Sequence, residues 1–121
     1  MEYDWQTIIG HVPSKSNHYL IVYKGGHPSI GKSDAVLKYE EGFYLQVGKY
    51  RNLMIKSFFE IHVRAYFETK SPDLDNCLKT ILDCLQQTGT IRNDNQCVKI
   101  VAEKFVDKAN PRIEFKITTI E

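Results

Sequence analysis

The residues best suited to chemistry lie between Pro72 and Asp94: Asp73, Asp75, Lys79 and Asp94. Carboxylates are hard oxygen donors of the kind a Mg²⁺ ion takes, usually one or two of them together with waters and phosphate. Gathered in one place they repel one another, which favours holding a divalent cation there. A cation so held polarises a phosphate and lowers the pKa of a bound water. A lysine beside it is a compact charge on a flexible stem, able to offset charge developing on a phosphate or to position an attacking water. The same residues have ordinary uses. An Asp-x-Asp at a helix start most often serves as a cap and a dipole partner. Asp75 and Lys79, four apart, then make a surface ion pair worth a few tenths of a kcal/mol.

These residues must be positioned by a helix. Pro72 cannot extend a preceding strand's ladder, and Asp73 is a good N-cap with Asp75 in the first turn. Leu74, Cys77, Leu78, Ile81, Cys84 and Leu85 form one apolar stripe at helical spacing. Gly89 stands where a left-handed C-terminal residue is expected, and Asp94 follows in the loop beyond. The segment from Ser57 to Glu68, which delivers the chain to Asp73, is the clearest strand. Phe59, Ile61, Val63, Ala65 and Phe67 point one way; Phe58, Glu60, His62, Arg64 and Tyr66 point the other.

Asp73, Asp75, Lys79 and Asp94, with Asn76 and Leu82-Asp83, closely resemble the signature of the RusA-type Holliday-junction resolvases. The offsets from first acid to lysine to last acid agree without a gap. The resemblance implies that Asp73, Asp75 and Asp94 bind Mg²⁺, with Mn²⁺ as a substitute, and that Lys79 assists phosphodiester cleavage. Weaker similarity covers most of the rest: Pro13-Ser14-Lys15-Ser16-Asn17 looks like the family's N-terminal loop, and Tyr39-Glu40 like part of its first long helix. The chain departs from the pattern at Asn93, where the family usually has the first of two acids. The implied activity is an endodeoxyribonuclease that resolves four-way DNA junctions in recombination and repair, in the cytoplasm and on the nucleoid. Such a junction has approximate two-fold symmetry and is cut on two strands. A homodimer, which presents two equivalent sites, is therefore implied by the resemblance and the substrate symmetry. The outer face of strand 57–67, with Phe58 and Tyr66, offers an interface, or is simply the second side of a buried sheet.

The chain's 121 residues suit one domain, 1–121, able to bury a core without staples. No stretch is apolar enough to span a membrane, and the acidic start Met1-Glu2-Tyr3-Asp4-Trp5 is unlike a signal peptide. Three cysteines, two of them on a helical apolar stripe, read as reduced core thiols. Net charge is only +1, but from Trp5 to Ser33 there is no Asp or Glu. Lys15, Lys24, Lys32 and three histidines fall there with Tyr19 and Tyr23 between them. A one-signed face of this kind can track phosphates, or can be a solvated strand and loop. Lys15, Asn17, Lys24, Lys32 and Arg92 are the candidate DNA contacts.

Trp5–Val12 and His18–Lys24 read as two strands paired with each other. A helix from about Asp34 to Leu53 follows, with Ser33 as cap. Cys97–Asp107 and Arg112–Ile120 read as strands joined in a hairpin by Lys108-Ala109-Asn110-Pro111. The order β-β-α-β-α-β-β predicts an α+β domain, one mixed sheet with two main helices packed on it. Gly26-His27-Pro28-Ser29-Ile30-Gly31-Lys32-Ser33 matches the P-loop pattern, which makes a nucleotide-binding protein one alternative. The expected hairpin and the lack of a strand ending in a Mg²⁺-holding Asp weigh against it. A nucleic-acid-binding relative without nuclease activity is the other alternative. The four histidines lack zinc-site spacing.

Overall fold

The computed structural model describes residues 1–13, 19–24 and 27–120, with backbone alone described at 19–24 and 27–32. The elements in order are β1 (Gln6–Ile9), β2 (Tyr19–Lys24), β3 (His27–Lys32), α1 (Asp34–Gln46), β4 (Phe58–Phe67), α2 (Leu74–Gln87), β5 (Cys97–Val106) and β6 (Arg112–Ile120). Short 3-10 turns occupy Gly48–Tyr50 and Asp94–Gln96. The architecture is α+β: a mixed four-stranded sheet ordered β1-β6-β4-β5, and a separate two-stranded ribbon of β2 and β3.

β4 is the axis of the sheet because it alternates most cleanly. Phe59, Ile61, Val63, Ala65 and Phe67 are all buried. They share one core with Ile113, Phe115 and Ile117 of β6, Tyr39 and Phe43 of α1, and Cys77, Ile81, Cys84 and Leu85 of α2, all buried as well. Both helices thus cover one face of the sheet. The other face carries charges and rings: Arg112 lies 3.8 Å from the Tyr66 ring centroid, and Tyr66 stacks on Phe105 at 4.9 Å.

Four expectations need correcting. β1 does not pair with β2; it pairs antiparallel with β6, where Ile8 opposite Ile113 is buried in the core. β2 pairs instead with β3, Lys24 opposite His27. The intervening Gly25-Gly26 is a two-residue hairpin signal that outweighs Pro28, which a two-stranded ribbon tolerates at its open edges. α1 ends at Gln46, seven residues early, because Gly48 adopts φ +59° and diverts the chain. β5 and β6 are not a hairpin: β4 lies between them, parallel to β5 and antiparallel to β6. β4, α2 and β5 therefore form a parallel crossover. That removes one argument against a P-loop, but a stronger one replaces it. His27–Lys32 is a strand paired with β2 along its length, extended where a P-loop must wrap a phosphate.

Candidate active site

The two ends of α2 carry the motif. At its N-terminus the approach from β4 is pinned by Lys104 of β5, whose ammonium donates to the carbonyl oxygens of Lys70, at 2.7 Å, and Pro72. Asp73 then takes the N-cap position in extended backbone, φ −86° and ψ 135°, but its carboxylate accepts no capping hydrogen bond. Asp75 is exposed in the first turn and Lys79 is exposed one turn on. Lys79 has no ion-pair partner among the described residues. The two ordinary uses of these side chains, capping and a surface pair, are both unrealised. The neighbouring Thr80 is buried, and its hydroxyl donates to the Pro13 carbonyl oxygen at 3.1 Å. That bond brings the residue before Ser14 against α2 beside Lys79.

The C-terminal end of α2 is built differently. Gly89, at φ +71°, turns the chain out of the helix. The next residues pair with the segment before β4: Ile55 N–H donates to the Thr90 carbonyl and Arg92 N–H to the Ile55 carbonyl, both at 3.0 Å. Asn93 caps the turn Asp94–Gln96, its Oδ1 accepting from Asn95 N–H at 2.9 Å. Gln96 answers through Oε1, which accepts from Asn93 N–H at 2.8 Å. The residue at the departure from the family pattern thus has a structural duty of its own. Asp94 is exposed, and its N–H donates to Gln86 Oε1 at 3.0 Å.

The acids therefore fall into two groups. Asp75 and Gln86 occupy the first and last turns of α2, about 16 Å apart along its axis. Among the described residues no group of three or more His, Cys, Asp or Glu stands together in a way that could hold a metal ion. The two local fields register on two different thiols. Cys77 is pushed up to about 12, first by burial and then by the charge of Asp75, with Lys104 opposing. Cys97 is raised by burial and by Asp94 against a backbone hydrogen bond from its own strand. All three cysteines are free thiols, Cys77 and Cys84 buried and Cys97 half-buried.

Of the candidate DNA contacts, Lys15 and Asn17 lie outside the described residues. Lys24 and Lys32 sit at opposite ends of the ribbon, in register with His27 and Tyr19. Arg92 is exposed, two residues before Asp94. Sequence reasoning passed over Lys104, Thr80 and Gln86, which hold the two ends of α2. Lys104 alone left a signal, a charge at the same strand parity as Ile100, Ala102 and Val106. The His62 imidazole lies 3.4 Å from Glu60 Oε2 on the outer face of β4, an ordinary strand position.

A family model described as Endodeoxyribonuclease RusA matches residues 15–118. No curated protein gives a significant match to the sequence.

Proposed function

The chain belongs to the RusA endodeoxyribonuclease family, and on that footing we propose that it is a Mg²⁺-dependent endonuclease that resolves four-way DNA junctions by paired cleavage in recombination and repair. The observation that carries the site assignment is negative stabilisation: Asp73 caps nothing and Lys79 pairs with no described residue, so both are held exposed without serving the fold. Groups kept in that state at one helix end are candidates for work on a ligand.

Asp73, Asp75 and Asp94 fit a hard cation by donor type, since all are exposed carboxylates. They do not fit it within one chain, because α2 separates them. We therefore read each chain as two half-sites: Asp73, Asp75 and Lys79 at one end, Asp94 at the other. Two copies related by a two-fold axis complete two sites, which also matches a substrate cut on two strands. Mg²⁺, with Mn²⁺ as substitute, would polarise the phosphate there and acidify a bound water. Lys79 contributes positive charge toward the phosphate oxygens. Lys15, Asn17, Lys24, Lys32 and Arg92 serve the DNA backbone, where cations fix register and orientation without reading sequence. No helix among the described residues is long and apolar enough to cross a membrane. The proposed substrate places the protein in the cytoplasm, at the nucleoid.

The test is cleavage of a four-way junction against a linear duplex of the same sequence, with and without Mg²⁺, for wild type and Asp75→Asn. Junction-selective, Mg²⁺-dependent cleavage that is lost in Asp75→Asn, with junction binding kept, is the expected result. Binding without cleavage by the wild type would favour a non-nucleolytic relative instead.

A further inference from the structure

Lys104 stands on β5 opposite Ala65 of β4, with its side chain exposed. Its ammonium lies 5.8 Å from the ring centroid of Phe67, the last residue of β4. From there it donates to the Lys70 carbonyl oxygen at 2.7 Å and to the Pro72 carbonyl oxygen. An ammonium has three donors, so one point charge can hold two carbonyls of a turn at once. Between them Ser71 has a local bond, its N–H donating to Thr69 Oγ1 at 3.3 Å. The β4–β5 contact ends at Phe67, whose carbonyl accepts from Asp107 N–H at 2.7 Å. Among the described residues, the hydrogen bonds that reach residues 68–72 from outside that segment are those of Lys104.

Asp73 follows directly. The Pro72 carbonyl belongs to the planar peptide that carries the Asp73 N–H. Holding that oxygen fixes the plane from which Asp73 departs, while α2 fixes its other side. The Asp73 carboxylate accepts no capping bond, so its direction is set by its backbone. The fold itself needs little from this arrangement. Residues 68–71 are exposed and Pro72 is half-buried, so water can solvate the carbonyls when the ammonium is gone.

We propose that Lys104 is a positioning residue for divalent-cation binding: through the Lys70 and Pro72 carbonyls its ammonium holds Asp73 where its carboxylate can ligate together with that of Asp75. The proposal rests on the reading of these two acids as cation ligands given above. Lys104 acts through the backbone, and its charge works in the opposite sense, since a positive group near the acids repels Mg²⁺. Water at this exposed site screens that repulsion. A ligand misplaced by about 1 Å, by contrast, can cost about 10²-fold. Position therefore outweighs charge, and removing the ammonium weakens cation binding.

The test uses the full chain and Mn²⁺ alone as the probe, with free Mn²⁺ followed by paramagnetic resonance. Asp75→Asn serves as the control for the site. Lys104→Met, which keeps an apolar stem over Phe67 and loses both donors and charge, is expected to bind Mn²⁺ roughly tenfold more weakly, the scale of losing a group that orients a metal ligand. Lys104→Arg, which keeps charge and donors, is expected to recover most of that loss. In single-turnover junction cleavage, the Mg²⁺ concentration giving half the maximal rate should rise by the same roughly tenfold in Lys104→Met, with the rate at saturating Mg²⁺ little changed. Thermal melts of both variants should stay near wild type. If Lys104→Met does not fold, Lys104→Gln, shorter and neutral, carries the same comparison with the same expected direction. Unchanged Mn²⁺ affinity, tighter Mn²⁺ binding, or a loss confined to the maximal rate would each overturn the proposal. A wild type that binds Mn²⁺ no better than Asp75→Asn removes the nuclease reading as well. A wild type that binds and cuts, with Lys104→Met indistinguishable from it, removes the role of Lys104 alone.

Discussion

The backbone N–H of Asp94 donates to Oε1 of Gln86 at 3.0 Å, which ties the last acid of the motif to the last turn of α2. Asp73 and Asp75 open that helix. The bond therefore fixes a separation as well as a position. One rigid helix holds the acids apart, and its length is set by the same apolar stripe that makes it fold. What reads as a single signature along the chain is two groups of acids in space, one at each end of α2.

Lys79 is where the functional and ordinary readings diverge most. It has no ion-pair partner among the described residues, so Lys79→Ala should leave the melting temperature nearly unchanged. If its charge meets the phosphate in the transition state, single-turnover cleavage of a pre-bound junction at saturating Mg²⁺ should slow by roughly 10²–10³-fold. Lys79→Arg should rescue incompletely, since a guanidinium is larger and planar. Wild-type cleavage by Lys79→Ala would exclude a catalytic role.

Gly89 supports the turn that leads from α2 to Asp94. Its φ is +71°, and a Cβ there would stand 2.8 Å from Asn52 Oδ1 and 3.4 Å from Asn52 Cα. Gly89→Ala should cost about 1–2 kcal/mol for the left-handed backbone, before any clash is relieved. A thermal melt checks it: the midpoint should fall by several degrees. An unchanged midpoint would show that this turn is not under the constraint described.

The helix α2 is legible in the sequence because Asp73, the apolar stripe and Gly89 all agree on its limits, and β4 is legible because it alternates without exception. The position of Asp94 is not legible. Offsets count residues and are blind to the direction in which a helix carries them. The partners of β5 are hidden for a related reason. Two strands joined by Asn110-Pro111 read as a hairpin because sequential strands usually pair, yet β4 offers both its edges and takes both of them. The Gly25-Gly26 signal is present in the sequence but is masked by Pro28 and by the P-loop pattern that overlaps it. Asn93 looks like a defect in the motif until the capping bonds of the Asp94–Gln96 turn are seen.

Stability should fall on the alkaline side. The Cys77 thiol is raised from an ordinary value near 9 to about 12, mainly by burial. Between those values the folded chain keeps a proton that the unfolded chain has lost. The stabilising effect is complete below pH about 9 and is lost as pH rises toward about 12. Tyr50, raised to about 12 by burial from an ordinary 10, acts in the same direction. Urea melts between pH 8 and 11 should show a decline that Cys77→Ala reduces by up to about 1.4 kcal/mol per pH unit, one proton's worth. Parallel declines in the two proteins would contradict the assignment to Cys77.

The central claim, that each site draws acids from two chains, is tested most directly by mixing two inactive proteins. Asp75→Asn and Asp94→Asn should each bind a four-way junction and fail to cut it with Mg²⁺. After subunit exchange at equal input, verified by mass on differently tagged chains, about half of the dimers are mixed and each mixed dimer has one intact corner. The account predicts recovered nicking from about a quarter of the wild-type number of sites, absent from either protein alone. If exchange is complete and the mixture remains inactive, the acids act within one chain and the account is wrong.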